Sequence, residues 1–208
     1  MEELIEAEGP FDGVLGYSGG AALAAEIIIR DAVAHPFKLP DERPFRFAVF
    51  INGASPLRCF RLEDEELQEE GIDSRAMLAE AESMFLRPSA LRRKDGVSEE
   101  DQADHGAMLA LLRGLKGRKL QDGTPFVTDG EFGLCRYQVL NGEPLIDMPT
   151  LHVRSPIEED EHHGLHLLGL CDPGRAREFH HGYGHDFPRG RIEMKKLAQL
   201  IREVAESS

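Results

Sequence analysis

Cysteine is scarce in this sequence, and its scarcity excludes several classes of site. The three cysteines, Cys59, Cys135 and Cys171, lie far apart and form no Cys-x-x-Cys pair. An odd number of cysteines at such spacing builds neither a disulfide framework nor the usual zinc and redox motifs. We therefore expect three buried, reduced thiols in an intracellular protein, and no metal.

Basic residues and long apolar runs are also lacking. The chain has 24 lysines and arginines against 38 aspartates and glutamates, which gives a net charge of -14. Because nucleic-acid binding requires clustered cations, no nucleic-acid partner is expected. No apolar run approaches the roughly 18 residues that span a bilayer, and the first residues, MEELIE, are acidic where a signal peptide is basic. The resulting expectation is a soluble cytoplasmic protein with no membrane partner.

What is present is the pattern of one globular α/β domain. Apolar residues make up 41% of the 208 residues and charged residues 30%, which is typical of a single folded domain. The run at 45–51 is almost continuously apolar, as in a parallel strand covered on both faces. Periodicity predicts alternating elements over these ranges: helix 2–8, strand 11–16, helix 21–34, strand 45–51, strand 149–153, helix 165–170, strand 176–180 and helix 191–205. We therefore predict a mostly parallel sheet with flanking helices.

The middle of the chain interrupts this alternation. Between about 57 and 148, apolar spacing predicts helices near 75–86 and 98–115 and a hairpin within 130–141. The segment is long and locally helical, and it returns to a strand at Thr150. We interpret it as a helical, lid-like insertion in a single domain that spans residues 1–208.

The residues GYSGG at positions 16–20 contain the first catalytic candidate. They read Gly-x-Ser-x-Gly between a predicted strand and a predicted helix, which is the context of a nucleophile elbow. In such a turn Ser18 is strained, its hydroxyl lies above the strand end, and the N–H of Gly19 faces a developing oxyanion. We expect Gly16 and Gly20 to be required because the helix packs too closely on the strand for side chains.

An activated serine needs a base and a carboxylate that orients the base. Acidic residues at 158–161 follow the predicted strand 149–153, and His185 lies in a glycine-punctuated loop after the last strand. The order serine, acid, histidine is the order found in α/β-hydrolases. Glu158, Glu159 and Asp160 all lie within reach, so the residues alone leave the identity of the acid open.

The other histidines favour structural interpretations. His152 lies within a predicted strand, where a packed and hydrogen-bonded side chain is expected, and His180 and His181 mark a strand end. His162 and His166 have the i, i+4 spacing of a metal-binding pair. Since no third ligand of suitable spacing is apparent, a solvated helix face is favoured.

Three stretches together resemble the fungal family of serine hydrolases: GPFDGVLGYSGGAA at 9–22, LCDP at 170–173 and GHDFPR at 184–189. That family comprises small α/β-hydrolases, among them esterases and thioesterases encoded beside polyketide synthases. The resemblance implies Ser18 as nucleophile, His185 as base and Glu158 as acid, with Asp160 as the alternative after a small shift. It implies an acyl-enzyme, no cofactor, and a small-molecule ester or acyl thioester as substrate, free or bound to a carrier protein.

Relatives in this family begin with a further strand and a His-Gly type loop that supplies a second oxyanion N–H. The present chain begins within the helix before the elbow, so the resemblance implies N-terminal truncation. Losing one oxyanion donor costs roughly 100-fold or more in rate, and a strand without its neighbour exposes an edge that favours association. One alternative is therefore a non-catalytic subunit that binds a partner through the open edge, where a homo-oligomer could also form. A separate alternative is a serine hydrolase of peptide or phospholipid bonds.

Overall fold

The computed structural model describes residues 2–69, 72, 73, 75, 78, 107, 110–139, 142–156 and 164–208. These residues divide into two compact units. The first unit consists of Met1–Leu57 and Tyr137–Ser208, and the second unit of Arg58–Arg136. Glu158, Glu159 and Asp160 lie outside the described residues, as do His162 and His163.

The helices and strands of the first unit lie close to the predicted ranges. In the part of the chain that is described, no helix combines the length and apolar character needed to cross a bilayer. In chain order the elements are α1 (Glu2–Glu8), β1 (Phe11–Tyr17), α2 (Gly19–Ala34), β2 (Phe45–Ile51), β3 (Leu57–Arg61), β4 (Lys116–Lys119), β5 (Pro125–Thr128), β6 (Phe132–Arg136), β7 (Thr150–Arg154), α3 (Leu165–Gly169), β8 (Ala176–His180) and α4 (Arg191–Glu206).

The first unit is built on a four-stranded sheet with the order β1-β2-β7-β8. Each neighbouring pair in this sheet is parallel. The register pairs Tyr17 with Ile51 and Ile51 with Val153, so β1, β2 and β7 end at the same edge. The predicted mostly parallel sheet with flanking helices is confirmed, and its C-terminal edge is where ligands bind in such sheets.

Both faces of this sheet are covered by apolar packing. On one face, Ala48 and Phe50 of β2 belong to a buried cluster that contains the inward side of α2 and Leu167 of α3. On the other face, Val49 and Ile51 pack in a cluster with apolar residues of α4. Side chains of β2 therefore alternate between two buried layers, which explains the nearly continuous apolar run in its sequence.

The second unit contains a four-stranded sheet with the order β3-β6-β5-β4, in which β4 pairs antiparallel with β5 and β5 with β6. Its core consists of Phe60, Leu120, Phe126 and Cys135. Three of its strands were not anticipated from the sequence, and the hairpin joins β5 to β6 rather than lying within 130–141. Residues 110–114 are helical, while most of the predicted helix 75–86 lies outside the described residues.

The expectation of three buried thiols is wrong for Cys59. This residue is exposed, whereas Cys135 and Cys171 are buried, and all three are free. Cys59 precedes Phe60 on β3, and successive side chains of a strand point to opposite faces, so a buried Phe60 turns Cys59 outward. Burial raises the pKa of Cys135 to about 11 and that of Cys171 to about 12, which makes both thiols unreactive at neutral pH.

Candidate active site

Ser18 occupies a strained turn between β1 and α2. Its backbone has φ 51° and ψ -119°, a conformation that is uncommon for any residue other than glycine. The turn is fixed by three hydrogen bonds: the Ser18 N–H donates to the Ile51 carbonyl at 2.9 Å, and the Ser18 carbonyl accepts from the N–H groups of Ala21 and Ala54, each at 3.1 Å. The surrounding backbone therefore holds the strain in place, as in a nucleophile elbow.

Gly16 and Gly20, the two glycines of the Gly-x-Ser-x-Gly motif, have different surroundings. A Cβ atom added to Gly16 would lie 2.5 Å from the Cα of Ala21, so the close approach of α2 to β1 does require glycine there. A Cβ added to Gly20 would meet nothing within 4 Å. The expectation that close packing requires glycine at both positions is therefore wrong for Gly20, because this residue lies on the exposed side of the first turn of α2.

Ser18 and His185 lie together although they are 167 positions apart in sequence. The distance from His185 Nε2 to Ser18 Oγ is 2.9 Å. In the neutral tautomer with its proton on Nδ1, the imidazole accepts the hydroxyl hydrogen through Nε2. Since α2 begins at Gly19, the N–H of this residue is one of the four that have no carbonyl partner within the helix. These groups can supply a nucleophile, a base and one oxyanion donor.

The carboxylate partner of His185 stays a prediction. Glu158 and its alternative Asp160 lie outside the described residues. The described carboxylate that follows His185 directly in the chain has another partner, since Asp186 accepts a hydrogen bond from Arg189 at 2.7 Å.

The loop that carries His185 makes contacts that the sequence analysis missed. Three side chains at strand ends bond to its backbone at residues 184–186. The Tyr17 hydroxyl donates to the carbonyl of residue 185, and Asn52 Nδ2 donates to the carbonyl of residue 186 at 2.9 Å. Ser155 Oγ accepts from the N–H of residue 184 at 3.1 Å. Two weak signals were available. Tyr17 is the neighbour of the motif serine, and Asn52 opens an Asn-Gly pair at a strand end.

His152 lies inside the parallel sheet and has almost no contact with solvent. Its side chain is buried, and its ring centroid is 5.3 Å from that of Phe50. No hydrogen-bond partner for Nε2 is found among the described residues, so the expected packing is present but the expected hydrogen bond is missing at this atom. Burial lowers the pKa of His152 to about 4, which keeps the ring neutral at physiological pH.

His180 and His181, at the end of β8, have structural contacts. His180 Nε2 lies 3.1 Å from a carboxylate oxygen of Glu178. His181 is buried, its Nδ1 accepts the N–H of Tyr183 at 3.3 Å, and burial lowers its pKa. Within the ranges that the structure describes, no group of three or more His, Cys, Asp or Glu residues is placed to hold a metal ion.

Known proteins with similar sequences are hydrolases. The chain is 28% identical over 210 residues to Hydrolase FUB4 of Gibberella moniliformis, an overlap that covers 98% of this chain and 70% of that protein. It is 28% identical over 203 residues to Esterase FPY3 of Fusarium mangiferae, which covers 97% of this chain and 60% of the relative. A crystal structure from Agrobacterium vitis S4 superimposes with a TM-score of 0.47 at 13% identity and covers 98% of this chain and 64% of that one. The chain thus spans 60% to 70% of the length of these three proteins.

A protein family also matches most of the chain. The family described as "Serine hydrolase (FSH1)" matches residues 1–197, a range that contains both Ser18 and His185. The match confirms the resemblance to the fungal serine hydrolases seen in the stretches at 9–22, 170–173 and 184–189. The chain therefore belongs to the serine hydrolase (FSH1) family.

Proposed function

We propose that this protein hydrolyses a carboxylic ester or thioester through an acyl-enzyme on Ser18. The observation that carries the proposal is the 2.9 Å contact between Ser18 Oγ and His185 Nε2 at the C-terminal edge of a parallel sheet. A serine hydroxyl is a weak nucleophile at neutral pH, and a base at hydrogen-bond distance is what activates it.

Acylation uses the groups at this edge. Ser18 Oγ attacks the substrate carbonyl carbon while His185 Nε2 takes the hydroxyl proton, and the carbonyl electron pair moves to its oxygen. The N–H of Gly19 donates a hydrogen bond to the resulting oxyanion. When the intermediate collapses, the bond to the leaving oxygen or sulfur breaks, and the leaving alcohol or thiol takes the proton from His185.

Deacylation repeats these steps with water. His185 removes a proton from a water molecule, the hydroxide oxygen bonds to the acyl carbon, and the proton returns to Ser18 Oγ as the carboxylic acid leaves. In this proposal Glu158 orients His185 through Nδ1, with Asp160 as the alternative. Replacing the true acid by its amide, in Glu158→Gln or Asp160→Asn, should reduce kcat far more than the other replacement, because an amide favours the wrong tautomer.

For the substrate we propose a small-molecule ester or acyl thioester of fungal polyketide metabolism, free or bound to a carrier protein. The relative named Esterase FPY3 supports ester cleavage. A paired assay separates the two bond types: p-nitrophenyl acyl esters and N-acetylcysteamine thioesters with the same acyl chains are compared by kcat/KM. A preference for one series at every chain length would identify the bond that the site is built to cleave.

Labelling with a fluorophosphonate probe tests the proposal directly. Wild-type protein should be labelled, with the adduct on the peptide that contains Ser18, and Ser18→Ala should not be labelled. Ser207→Ala is a matched control, because the Ser207 hydroxyl bonds to the carbonyl of Val204 at the end of α4. Equal labelling of wild type and Ser18→Ala would exclude Ser18 as the nucleophile.

We propose as a second candidate that the edge of β1 binds another protein chain, and in the simplest case a second copy. β1 is an outer strand of the sheet formed by the described residues, and Leu15 on it is 54% exposed. Strand edges with free backbone groups pair readily with other strands. Sedimentation at increasing concentration should then show a dimer that Leu15→Lys disrupts and Ile192→Lys on α4 does not. A monomer at all concentrations would contradict this candidate.

A further inference from the structure

The loop that carries His185 is attached to the parallel sheet by side chains from three neighbouring strand ends. Tyr17 is the last residue of β1, Asn52 follows β2 directly, and Ser155 follows β7 directly. Each of these side chains bonds to the loop backbone and none of these three bonds involves the imidazole. The bonded backbone groups belong to three consecutive residues, 184–186, with His185 in the middle.

We propose that Tyr17, Asn52 and Ser155 are positioning residues that hold His185 at reacting distance from Ser18. The inference rests on the proposed function, because it assigns these residues to the same proton transfer. Ten residues, 181–190, separate β8 from α4, and Gly184 within them has φ 58°. A loop of this length has many conformations of similar energy, and a misplacement of about 1 Å at a reacting group can cost about 100-fold in rate.

Asn52 is suited to this task in both its backbone and its side chain. It is 3% exposed, its φ is 45°, and its own N–H donates to the Val153 carbonyl at 2.8 Å. Asparagine tolerates a positive φ better than most residues. Its amide Nδ2 donates to the carbonyl of Asp186 at 2.9 Å, and an aspartate of the same shape would place an acceptor against that acceptor.

Tyr17 links the loop that carries His185 to the strand that leads into Ser18. It precedes Ser18 in the chain, and its hydroxyl donates to the carbonyl of His185. Its ring stacks on Phe187 with centroids 4.8 Å apart and lies 5.4 Å from the ring of His185. One strand end therefore carries the serine and a contact that locates its base, so that movement of β1 shifts both together.

Steady-state kinetics of Tyr17→Phe and Asn52→Asp test the proposal. With p-nitrophenyl butyrate we expect kcat to fall about 10-fold in Tyr17→Phe and about 100-fold in Asn52→Asp, with KM within about 2-fold of wild type. Tyr17→Phe keeps the ring contacts and removes one hydroxyl. Tyr183→Phe is its matched control, because the Tyr183 hydroxyl bonds to the carbonyl of Arg189 in the same loop at 2.9 Å, and we expect it to retain wild-type kcat.

A double-mutant cycle separates positioning from general loss of structure. In a His185→Ala background, the fluorophosphonate labelling rate should not fall further when Tyr17→Phe or Asn52→Asp is added, because both act through the missing imidazole. Equal fold losses in both backgrounds would overturn the proposal, as would wild-type kcat in both single variants.

Hydrogen exchange keeps the inference testable if the proposed function fails. Absence of both ester turnover and Ser18 labelling in the wild type would reject the function without deciding whether the loop is held. The amide of Gly184 should then exchange faster in Tyr17→Phe and Asn52→Asp than in wild type or Tyr183→Phe, because loosening the loop frees that N–H from Ser155. Unchanged exchange in both variants would overturn the inference independently of activity.

Discussion

The middle of the parallel sheet and its C-terminal edge give the same side chain opposite environments. His152, within β7, is buried, and burial lowers its pKa to about 4. His185, in a loop at the edge, has Nε2 2.9 Å from the hydroxyl of Ser18. A histidine serves as a base where a proton donor can reach it and the protonated ring can be accommodated. The interior of this sheet keeps His152 neutral and away from solvent, while at the edge a hydroxyl lies at hydrogen-bond distance from the ring of His185.

The largest expected difference is in kcat, between a variant that lacks His185 and a variant that lacks His152. His185→Ala should lower kcat by about 1,000-fold or more, since removal of the base leaves only binding and the oxyanion donor to assist the reaction. His152→Gln should change kcat by less than about 3-fold, because this side chain lies within the buried sheet. Ester turnover and probe labelling measure both effects. A larger loss in His152→Gln than in His185→Ala would reverse the assignment of the two regions.

The interior beside the elbow should be intolerant of added volume. Gly16→Ala places a Cβ 2.5 Å from the Cα and 2.6 Å from the N of Ala21, which are backbone atoms of α2. We expect it to lower the free energy of unfolding by about 3 kcal/mol, the upper part of the usual range for overpacking, because a whole helix must shift. Urea unfolding measures the change, and a loss below about 1 kcal/mol would show that α2 can move away from β1 at little cost.

Acid should destabilise the sheet interior through His152. The ordinary pKa of this group is 6.5 and its folded value is about 4, with burial as the main cause, Glu178 raising it and Arg154 lowering it. Between these values the unfolded chain binds a proton that the folded protein does not, so stability falls as pH drops from 6.5 to 4, by up to about 3 kcal/mol. Above pH 6.5 this contribution is constant.

Urea unfolding across that pH range provides the test. The fall in unfolding free energy should be steeper in wild type than in His152→Gln, which has no titrating group at this site. Glu178 titrates lower: burial opposes the shift, but hydrogen bonds from Arg154 and His180 lower its pKa below 4.5. Its contribution is therefore lost at more acidic pH in both proteins. Identical pH dependence of the two proteins between 6.5 and 4 would contradict the assignment to His152.

A substitution on the exposed side of the elbow should have the smallest effect on the free energy of unfolding, and it should stabilise the protein. Gly20 is the second residue of α2 and has open space around its Cα, so Gly20→Ala should raise the free energy of unfolding by about 0.5 kcal/mol through restricted freedom of the unfolded chain. The same urea experiment used for Gly16→Ala measures it. A loss like that of Gly16→Ala would show that both glycines face the packed side.

The two sheets differ in how far their sequences predict them. The middle strands of the parallel sheet, β2 and β7, are largely buried, and β2 has the nearly continuous apolar run that such burial requires and lies within the range predicted for it. The strands of the second unit are four or five residues long, and β4 reads KGRK, with no apolar alternation. Their pairing depends on partners distant in sequence, and short polar strands carry little local preference of their own.

The residues of the candidate site also differ in how far the sequence predicts them. Ser18 and His185 could be predicted because a strained elbow needs a glycine-rich motif and a presented base needs a loop, and both needs leave patterns in the sequence. Tyr17, Asn52 and Ser155 left at most weak signals, because many side-chain types can hydrogen-bond to a backbone carbonyl or N–H, so such contacts require no fixed motif in the sequence. Gly20 was misjudged because the motif alone does not show which side of the turn is packed.

By itself the sequence determined the order of the elements in the first unit, the parallel sheet and the two residues that meet above its edge. These follow from local periodicity, from glycine where a Cβ cannot fit, and from the chain order of serine and histidine. Tertiary structure alone decided the antiparallel sheet of the second unit, the exposure of Cys59 and the hydrogen bonds that attach the loop carrying His185 to three strand ends. Each of these depends on contacts between distant segments, and the energy of such a contact is set by where the fold brings the two groups.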